Sequence, residues 1–240
     1  MPPSELQIVT ALLAAYRDGM FPMADPQTGR VDWYSPDPRA LMPLQPETTR
    51  GSGDGFHISR SLARTLRSKL FTLTADTAFE RVIRECALLR RPHEGTWIDD
   101  RIIHWYTTLH KHGDAHSIEA WLPTHATPTP TPTPRMSESA SESADHVLVG
   151  GIYGVSIGAA FFAESMFSRP HLGGTDASKV CLAHLVAHLR RRGYDFMDVQ
   201  LRNEHTDQFG VYTVRRAKYA KMLAAAVEKQ AAWGPFEPRV

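Results

Sequence analysis

Three polar residues beside apolar segments have side chains that could carry chemistry. Glu164 follows the apolar run 158–162, and a charge at the end of a buried strand is costly unless it has a partner or a task. Asp198 and Gln200 are two residues apart in a predicted strand, so their side chains leave the same face. A carboxylate beside an amide can fix the direction of that amide, whose oxygen then accepts a hydrogen bond from an approaching amine. The same residues could instead form a polar network that only pins strand ends.

Two clusters of basic residues are candidates for binding an anion. Arg60, Arg64 and Arg67 lie at positions i, i+4 and i+7 of a predicted helix, and no acidic residue occurs from 55 to 75. This spacing suits a phosphate backbone, although an ordinary solvated helix face looks the same. The second cluster contains Arg215, Arg216, Lys218 and Lys221. The net charge of +1 excludes a global attraction for nucleic acid, so any such contact depends on these local clusters.

Other motifs favour structural roles. His184 and His188 are spaced i, i+4, but no third ligand follows at a suitable spacing and the His-Glu-x-x-His glutamate is missing, so no metal site is predicted. The glycine-rich segment 150–154 does not open a helix, as a phosphate loop would. It is interpreted as a tight turn between strands, or as a place where the backbone approaches a ligand closely. Cys86 and Cys181 lie in helix-like apolar patterns and are predicted to be buried thiols.

The elements that must position these residues form a mixed α+β pattern. Helices are predicted over 5–18, from 59 or 61 through the arginine stripe, from 77 and from 99 or 100, and over 177–192 and 215–227; strands over 116–121, 147–153, 155–163 and 194–201. Segment 123–145 repeats Thr-Pro and then Ser and Glu, and it is interpreted as an extended hairpin loop. Two domains are predicted: a small N-terminal domain, 1–55, and a second domain, 56–232, which contains a loop insertion at 123–146. A tail follows at 233–240.

Bulk composition is that of a globular protein. Of the 240 residues, 42% are hydrophobic and 22% are charged, and no apolar stretch approaches the ~18–20 residues that span a bilayer. The N-terminus has no basic region followed by an apolar segment, so no secretory signal is visible. A cytoplasmic protein without membrane contact is therefore expected, and a monomer is the default prediction.

Taken together, ordered segments resemble the leucyl/phenylalanyl-tRNA–protein transferases over nearly the whole length. The matching segments are 16–22, Trp33–Arg39, 57–61, Glu94–Ile98, His116–Glu119, Val149–Val155, Glu164–Arg169, 177–179 and Asp198-x-Gln200. The resemblance implies a small N-terminal α/β module and a C-terminal GNAT-like (acetyltransferase-like) domain with a central, mostly antiparallel sheet. It also implies transfer of Leu or Phe, less often Met, from charged tRNA to proteins beginning with Arg or Lys, which marks them for degradation. No ATP, metal or coenzyme is implied.

Residue roles follow from this resemblance. Asp198 would orient Gln200, which engages the attacking α-amine, and Glu164 would hold the substrate and the reacting ester region. Trp97 and Met23 would hold the 3′-terminal adenosine, and the arginine stripe would meet the acceptor stem. The amino-acid pocket would be lined by Ile152, Phe161, Met166, Leu185 and Leu189. The chain departs from well-known members at Met23 (Trp there), at Leu185 and Leu189 (Phe in some), and in the longer segment Pro170–Asp176.

Two other readings use the same residues. An acyl-coenzyme-A-dependent N-acyltransferase needs an Arg/Gln-x-x-Gly-x-Gly/Ala loop for the pyrophosphate, and the nearest match, Arg190-x-x-Gly193-x-Asp195, ends in an acid that would repel it. A non-catalytic tRNA or peptide binder has no need of Glu164 beside Asp198 and Gln200. Aminoacyl transfer needs only positioning and charge stabilisation, because the ester is already activated and an α-amine has a pKa near ~8.

Overall fold

A computed structural model describes residues 3–49, 51–88, 95–124 and 145–240. Its helices are α1 (Glu5–Arg17), α2 (Arg60–Ser68), α3 (Phe79–Leu88), α4 (Asp100–Lys111), α5 (Ala177–Arg191), α6 (Glu204–Asp207) and α7 (Arg216–Val227). Its strands are β1 (Phe21–Ala24), β2 (Val31–Tyr34), β3 (Arg39–Met42), β4 (Thr72–Ala75), β5 (Ala115–Pro123), β6 (His146–Ile157), β7 (Ala160–Ser168), β8 (Phe196–Gln200) and β9 (Tyr212–Val214). The side chains of Ser4, Ser59 and Asp99 cap α1, α2 and α4.

Seven strands form the central sheet in the order β4-β5-β6-β7-β8-β3-β9, and β1 and β2 form a separate hairpin. Every neighbouring pair in the sheet is antiparallel except β7 and β8. Parallel neighbours need a crossover, and α5 supplies it. A mixed α+β fold with a large, mostly antiparallel sheet is therefore confirmed.

The core has one cluster on each face of the sheet. One face is covered by α2 and α5, and its cluster includes Phe161. The other face is covered by α1, α3, α4 and α7, and its cluster includes Phe162. Consecutive residues of a strand point to opposite faces, so these two adjacent Phe residues of β7 pack into different clusters. Cys86 and Cys181 are buried, as predicted.

The glycine-rich segment lies inside a strand, so its interpretation as a turn between strands was wrong. The turn is instead at Gly158, where φ is +55°. At Gly154 a Cβ atom would collide with the carbonyl oxygen of Phe162, and at Gly150 it would collide with Ala177. Both positions are therefore close approaches between parts of the protein itself, and a close approach to a ligand stays a prediction.

The predicted boundary at residue 55 stays a prediction. On its N-terminal side, β3 lies in the central sheet between β8 and β9. In the predicted tail, Trp233 is buried and stacks on His116 with ring centroids 4.3 Å apart. Its carbonyl oxygen contacts His188 Nε2 at 2.9 Å, so His188 has a structural contact. Burial lowers the pKa of His188 to about 4.

Most of the predicted loop insertion lies outside the described residues, since 125–144 are not part of them. Its ends are close, because the backbone N–H of Thr124 donates to the carbonyl oxygen of Asp145 at 2.9 Å. Glu94 of the segment Glu94–Ile98 also lies outside the described residues. Across the described ranges, every helix is too short or too polar to span a membrane.

Candidate active site

The candidate site lies where the two parallel strands stop pairing. Pairing between β7 and β8 ends at Phe162 and Asp198, although β7 continues to Ser168 and β8 to Gln200. A cavity of about 210 Å³ opens there. Its apolar wall contains Met42, Ile152, Ala163, Met166, Leu182, Met197 and Val199, and its polar residues are Glu164, Ser165, Gln200, Asn203, His205 and Thr206. A cavity that combines an apolar wall with convergent polar groups is typical of a small-ligand site.

Glu164 lies in a β-bulge. Ser165 pairs with Tyr153 and Ala163 pairs with Gly154, so Glu164 is the one residue between them without a partner across the ladder. A bulge re-aims a side chain, and Glu164 Oε1 accepts hydrogen bonds from the Tyr16 hydroxyl at 2.7 Å and from Gln200 Nε2 at 3.1 Å. This corrects the expectation that Glu164 ends a strand, because β7 extends four residues further.

The protonation of Glu164 is set mainly by burial. Desolvation raises the pKa of its carboxyl to about 7, although hydrogen bonds from the Tyr16 and Tyr106 hydroxyls act in the opposite direction. The two tyrosine hydroxyl oxygens are 2.5 Å apart. Both tyrosines are fully buried, and burial raises their pKa values well above the ordinary range, so they remain neutral donors.

Asp198 has a contrasting environment built around an opposite charge. The Arg39 guanidinium donates from Nε to Asp198 Oδ2 at 2.9 Å, and both side chains are fully buried. The Tyr219 hydroxyl donates to the same oxygen at 2.5 Å. The guanidinium carbon lies 5.0 Å from the ring centroid of Phe21 and 4.8 Å from that of Tyr219. Asp198 is thus fixed by an ion pair that two aromatic rings enclose.

Gln200 connects the two carboxyl groups. Its backbone N–H donates to Asp198 Oδ1 at 2.8 Å, and its side-chain Nε2 donates to Glu164. Its φ of +60° lies in the left-handed region, which few non-glycine residues occupy. Because Nε2 is engaged by Glu164, the amide oxygen is the atom directed away from that carboxyl, and no donor among the described residues contacts it.

Comparison with known proteins assigns the chain to a family. Residues 52–126 and 135–224 match the family model described as leucyl/phenylalanyl-tRNA protein transferase. Residues 9–37 match the model of the N-terminal domain of the same proteins. The chain belongs to the leucyl/phenylalanyl-tRNA–protein transferase family. The resemblance that the motifs indicated is therefore confirmed.

Relatives of that name match over most of their length. The leucyl/phenylalanyl-tRNA–protein transferase of Akkermansia muciniphila is 42% identical over 219 residues, which cover 91% of this chain and 95% of that protein. The protein of the same name from Salinibacter ruber is 42% identical over 225 residues, with coverages of 94% and 82%. The crystal structure of FemX aligns with a TM-score of 0.45 and 12% identity over 85% of this chain and 66% of that one.

The three predicted catalytic residues of this family member are brought together by the structure. Asp198 contacts the backbone N–H of Gln200, whereas the side-chain amide is held by Glu164. Ile152 and Met166, from the predicted pocket, line the cavity. The other three pocket residues do not line it: Phe161, Leu185 and Leu189 are fully buried in the core on the α5 face.

The remaining predicted binding residues lie outside the cavity. Trp97 is buried and Met23 is half-buried, and the backbone N–H of Ala24 donates to the carbonyl oxygen of Trp97 at 3.1 Å, so the two segments are neighbours. Arg60, Arg64 and Arg67 lie on α2, whose only buried residue is Leu62, so the stripe is on the side of the helix turned away from the core.

Sequence reasoning missed the residues that support the site, namely Arg39, Tyr16, Tyr106 and Tyr219. A signal for Arg39 was present, since an arginine beside the apolar run 40–42 has to find a partner if the strand is buried. The tyrosines lie on the apolar faces of α1, α4 and α7, where a buried hydroxyl requires a hydrogen-bond partner. The identity of those partners depends on tertiary packing between elements far apart in sequence.

Proposed function

We propose that the protein transfers Leu or Phe, less often Met, from charged tRNA to the α-amine of proteins beginning with Arg or Lys, which marks them for degradation. In this proposal it acts in the cytoplasm as a monomer and without a cofactor. The observation that carries the proposal is that Gln200 lines a cavity with one apolar wall while Glu164 holds its amide nitrogen. The parallel unit β7-α5-β8 supports a GNAT-like arrangement for residues 56–232.

The proposed reaction is attack of the α-amine nitrogen on the ester carbonyl carbon. A C–N bond forms, the bond from the carbonyl carbon to the ribose oxygen breaks, and the amine proton passes to that oxygen. Gln200 accepts a hydrogen bond from the amine through its side-chain oxygen and so aligns the nitrogen with the ester. An amide is too weakly basic to take up the proton, so its contribution is orientation.

The two carboxyl groups have separate tasks in this proposal. Glu164 holds the Gln200 amide nitrogen and lines the cavity, so it faces the substrate and the reacting ester region. Asp198 binds the backbone N–H of Gln200 and supports its left-handed conformation. Asp198 therefore orients Gln200 through the main chain, without touching the substrate.

The donor's side chain would occupy the apolar cavity. Ile152 and Met166 line its wall, and Phe161, Leu185 and Leu189 would support the wall from the core behind it. A pocket of this kind selects by size, at about 1–3 kcal/mol for each methylene. Met23 and Trp97 would hold the 3′-terminal adenosine, and the arginine stripe of α2 would meet the acceptor stem.

The test is transfer of labelled Leu and Phe from charged tRNA to a protein beginning with Arg, without ATP or coenzyme A. Gln200→Ala should lower kcat by roughly 100-fold or more, because the amine loses the group that aligns it. Gln27→Ala, at an exposed turn, is the matched control and should retain activity. Label that enters the acceptor equally well with Gln200→Ala would refute the assigned role. No label with wild-type protein and intact charged tRNA would refute the function.

The arginine stripe has its own test in the salt dependence of tRNA binding. Replacing Arg60, Arg64 and Arg67 together with Ala should reduce the slope of log affinity against log salt concentration by about 0.9 for each phosphate that the variant no longer neutralises. Lys111→Ala, which removes an exposed charge on α4, is the control. An unchanged slope in the triple variant would place the acceptor stem elsewhere.

A further inference from the structure

An exposed aromatic ring lies at the end of a stack that leads to Asp198. Tyr34 is 41% exposed, and it pairs directly with Phe21 in the β1–β2 hairpin, so the two rings share a face. Their centroids are 6.2 Å apart with planes inclined by 29°. The Arg39 guanidinium lies over Phe21 and binds Asp198. Tyr34 is therefore the solvent-facing member of the packing around that ion pair.

Exposed cations lie next to this ring. Arg216 donates to the carbonyl oxygen of Ser35 at 2.9 Å and to its hydroxyl at 3.2 Å, which places the guanidinium beside the residue that follows Tyr34. Arg215 and Lys218 are also exposed, and neither forms an ion pair with a described residue. The nearby acid Asp37 accepts a hydrogen bond from the backbone N–H of Arg216 at 3.1 Å, and the cations outnumber it.

These cations are close to the site because of the helix that carries them. Tyr219, whose hydroxyl donates to Asp198, follows Arg216 by three residues in α7. Three residues of helix rise about 4.5 Å. The N-terminal turn of α7 thus lies within about one turn of a contact to Asp198, and α7 follows directly on β9, the edge strand of the sheet.

The combination of an exposed ring and cations fits a single-stranded nucleic acid. Aromatic side chains stack on unpaired bases, and cations bind the adjoining phosphates. The stripe on α2 has arginines but no aromatic residue between 60 and 68, which suits a duplex backbone whose bases are already stacked. The two basic clusters therefore match two different parts of one RNA.

We propose that Tyr34, Arg215, Arg216 and Lys218 bind the single-stranded 3′ end of the charged RNA, with Tyr34 stacked on a base and the cations on the phosphates that precede the aminoacylated nucleotide. This proposal rests on the proposed function. It assigns RNA binding to the second basic cluster, separately from the arginine stripe of α2. The surface adjoins the Asp198 side of the site, so it holds the strand whose terminal ester reaches Gln200.

The test compares two donors: an aminoacyl-adenosine, which has no phosphodiester, and the same aminoacyl group on a trinucleotide ending in adenosine. Wild-type protein should use the trinucleotide with the lower KM. Tyr34→Ala and the double variant Arg215→Ala/Lys218→Ala should each reduce that advantage by about fivefold or more, with the KM of the aminoacyl-adenosine unchanged. Tyr34→Trp should preserve the advantage, and Lys111→Ala is the charge control.

Either of two results overturns this proposal. One is an undiminished trinucleotide advantage in both variants, and the other is an equal rise of KM for both donors, which a purely structural defect would cause. If wild-type protein transfers from neither donor, the proposed function fails instead. In that case fluorescence anisotropy of a labelled, uncharged trinucleotide still tests whether this surface binds single-stranded RNA. Weaker binding by Tyr34→Ala supports the proposal, and equal binding refutes it.

Discussion

The two carboxyl groups on either side of Gln200 are held in opposite ways: Asp198 is fully buried, whereas Glu164 is half-buried and lines the cavity. Asp198 has a buried guanidinium as its partner, whereas Glu164 accepts hydrogen bonds from two neutral groups, a tyrosine hydroxyl and an amide. Burial consequently raises the pKa of Glu164 to about 7. A carboxylate with a counter-ion serves as a fixed support, and one with neutral donors can change its charge near neutral pH. Three predictions test this contrast, and a fourth concerns a segment far from both carboxyl groups.

The largest effect on stability is expected when the ion pair of Asp198 is broken. Arg39→Met leaves Asp198 buried without its cation, so the free energy of unfolding should fall by about 3–5 kcal/mol. Urea denaturation measures this loss. The double variant Arg39→Met/Asp198→Asn removes both charges and should lose less than the single variant. If the double variant loses as much or more, the uncompensated charge is not the cause.

On the Glu164 side, the effect should depend on pH. Between about pH 4.5 and 7 the native state holds a proton on Glu164 that the unfolded state has released, so stability falls as the pH rises through this window. Glu164→Gln removes the titration. Relative to wild-type protein, the free energy of unfolding of the variant should rise between pH 4.5 and 7, by up to about 3 kcal/mol. Above pH 7 the difference between the two proteins should stay constant. Urea denaturation at several pH values measures it, and a difference independent of pH would contradict the assignment.

A smaller effect on stability is expected from changes to the backbone conformation of Gln200, which lies between the two carboxyl groups. Gly adopts positive φ without strain and Ala does not, so Gln200→Gly should be more stable than Gln200→Ala by about 1 kcal/mol. Both variants should show the same large loss of kcat in transfer. At Gln27, which has no positive φ, the order of stability should be the usual one, with Ala above Gly. Thermal or urea unfolding of the four variants gives the comparison, and the same order at both positions would argue against strain at Gln200.

The smallest effect is expected far from both carboxyl groups. Deleting 128–143 should leave kcat and KM unchanged, because the hairpin ends are already joined between Thr124 and Asp145 and the segment's composition favours a spacer. The transfer assay compares the shortened and full chains. A large loss of activity would show that the insertion contributes to substrate binding.

Sequence patterns located the candidate catalytic residues better than their surroundings. Period-two alternation placed Asp198 and Gln200 in one strand, and the apolar run before Glu164 placed that residue in another. The patterns could not show that β3 enters the sheet between β8 and β9, since strand order depends on tertiary packing. β4 was missed because its four residues are exposed or half-buried, without the apolar alternation of a core strand.

The predicted amino-acid pocket shows a related limit of sequence patterns. Leu185 and Leu189 were predicted to line that pocket from a family resemblance, and α5 places both in the core behind the cavity. Helix periodicity identifies the face that is turned inward, but it does not distinguish a residue that borders an open cavity from one packed behind it. The Arg39–Asp198 pair joins positions 159 residues apart, and no local pattern in a single sequence specifies such a contact.

The bulge at Glu164 suggests how this geometry can arise. Phe161 and Met166 contact the core on the α5 face, whereas Phe162 and Phe167 belong to the opposite face. The members of each pair are five positions apart, an odd interval that a regular strand does not allow for side chains on one face. Removing one residue from the bulge would restore regular alternation on both sides of it. A single extra residue therefore reverses the face to which every later side chain of the strand points.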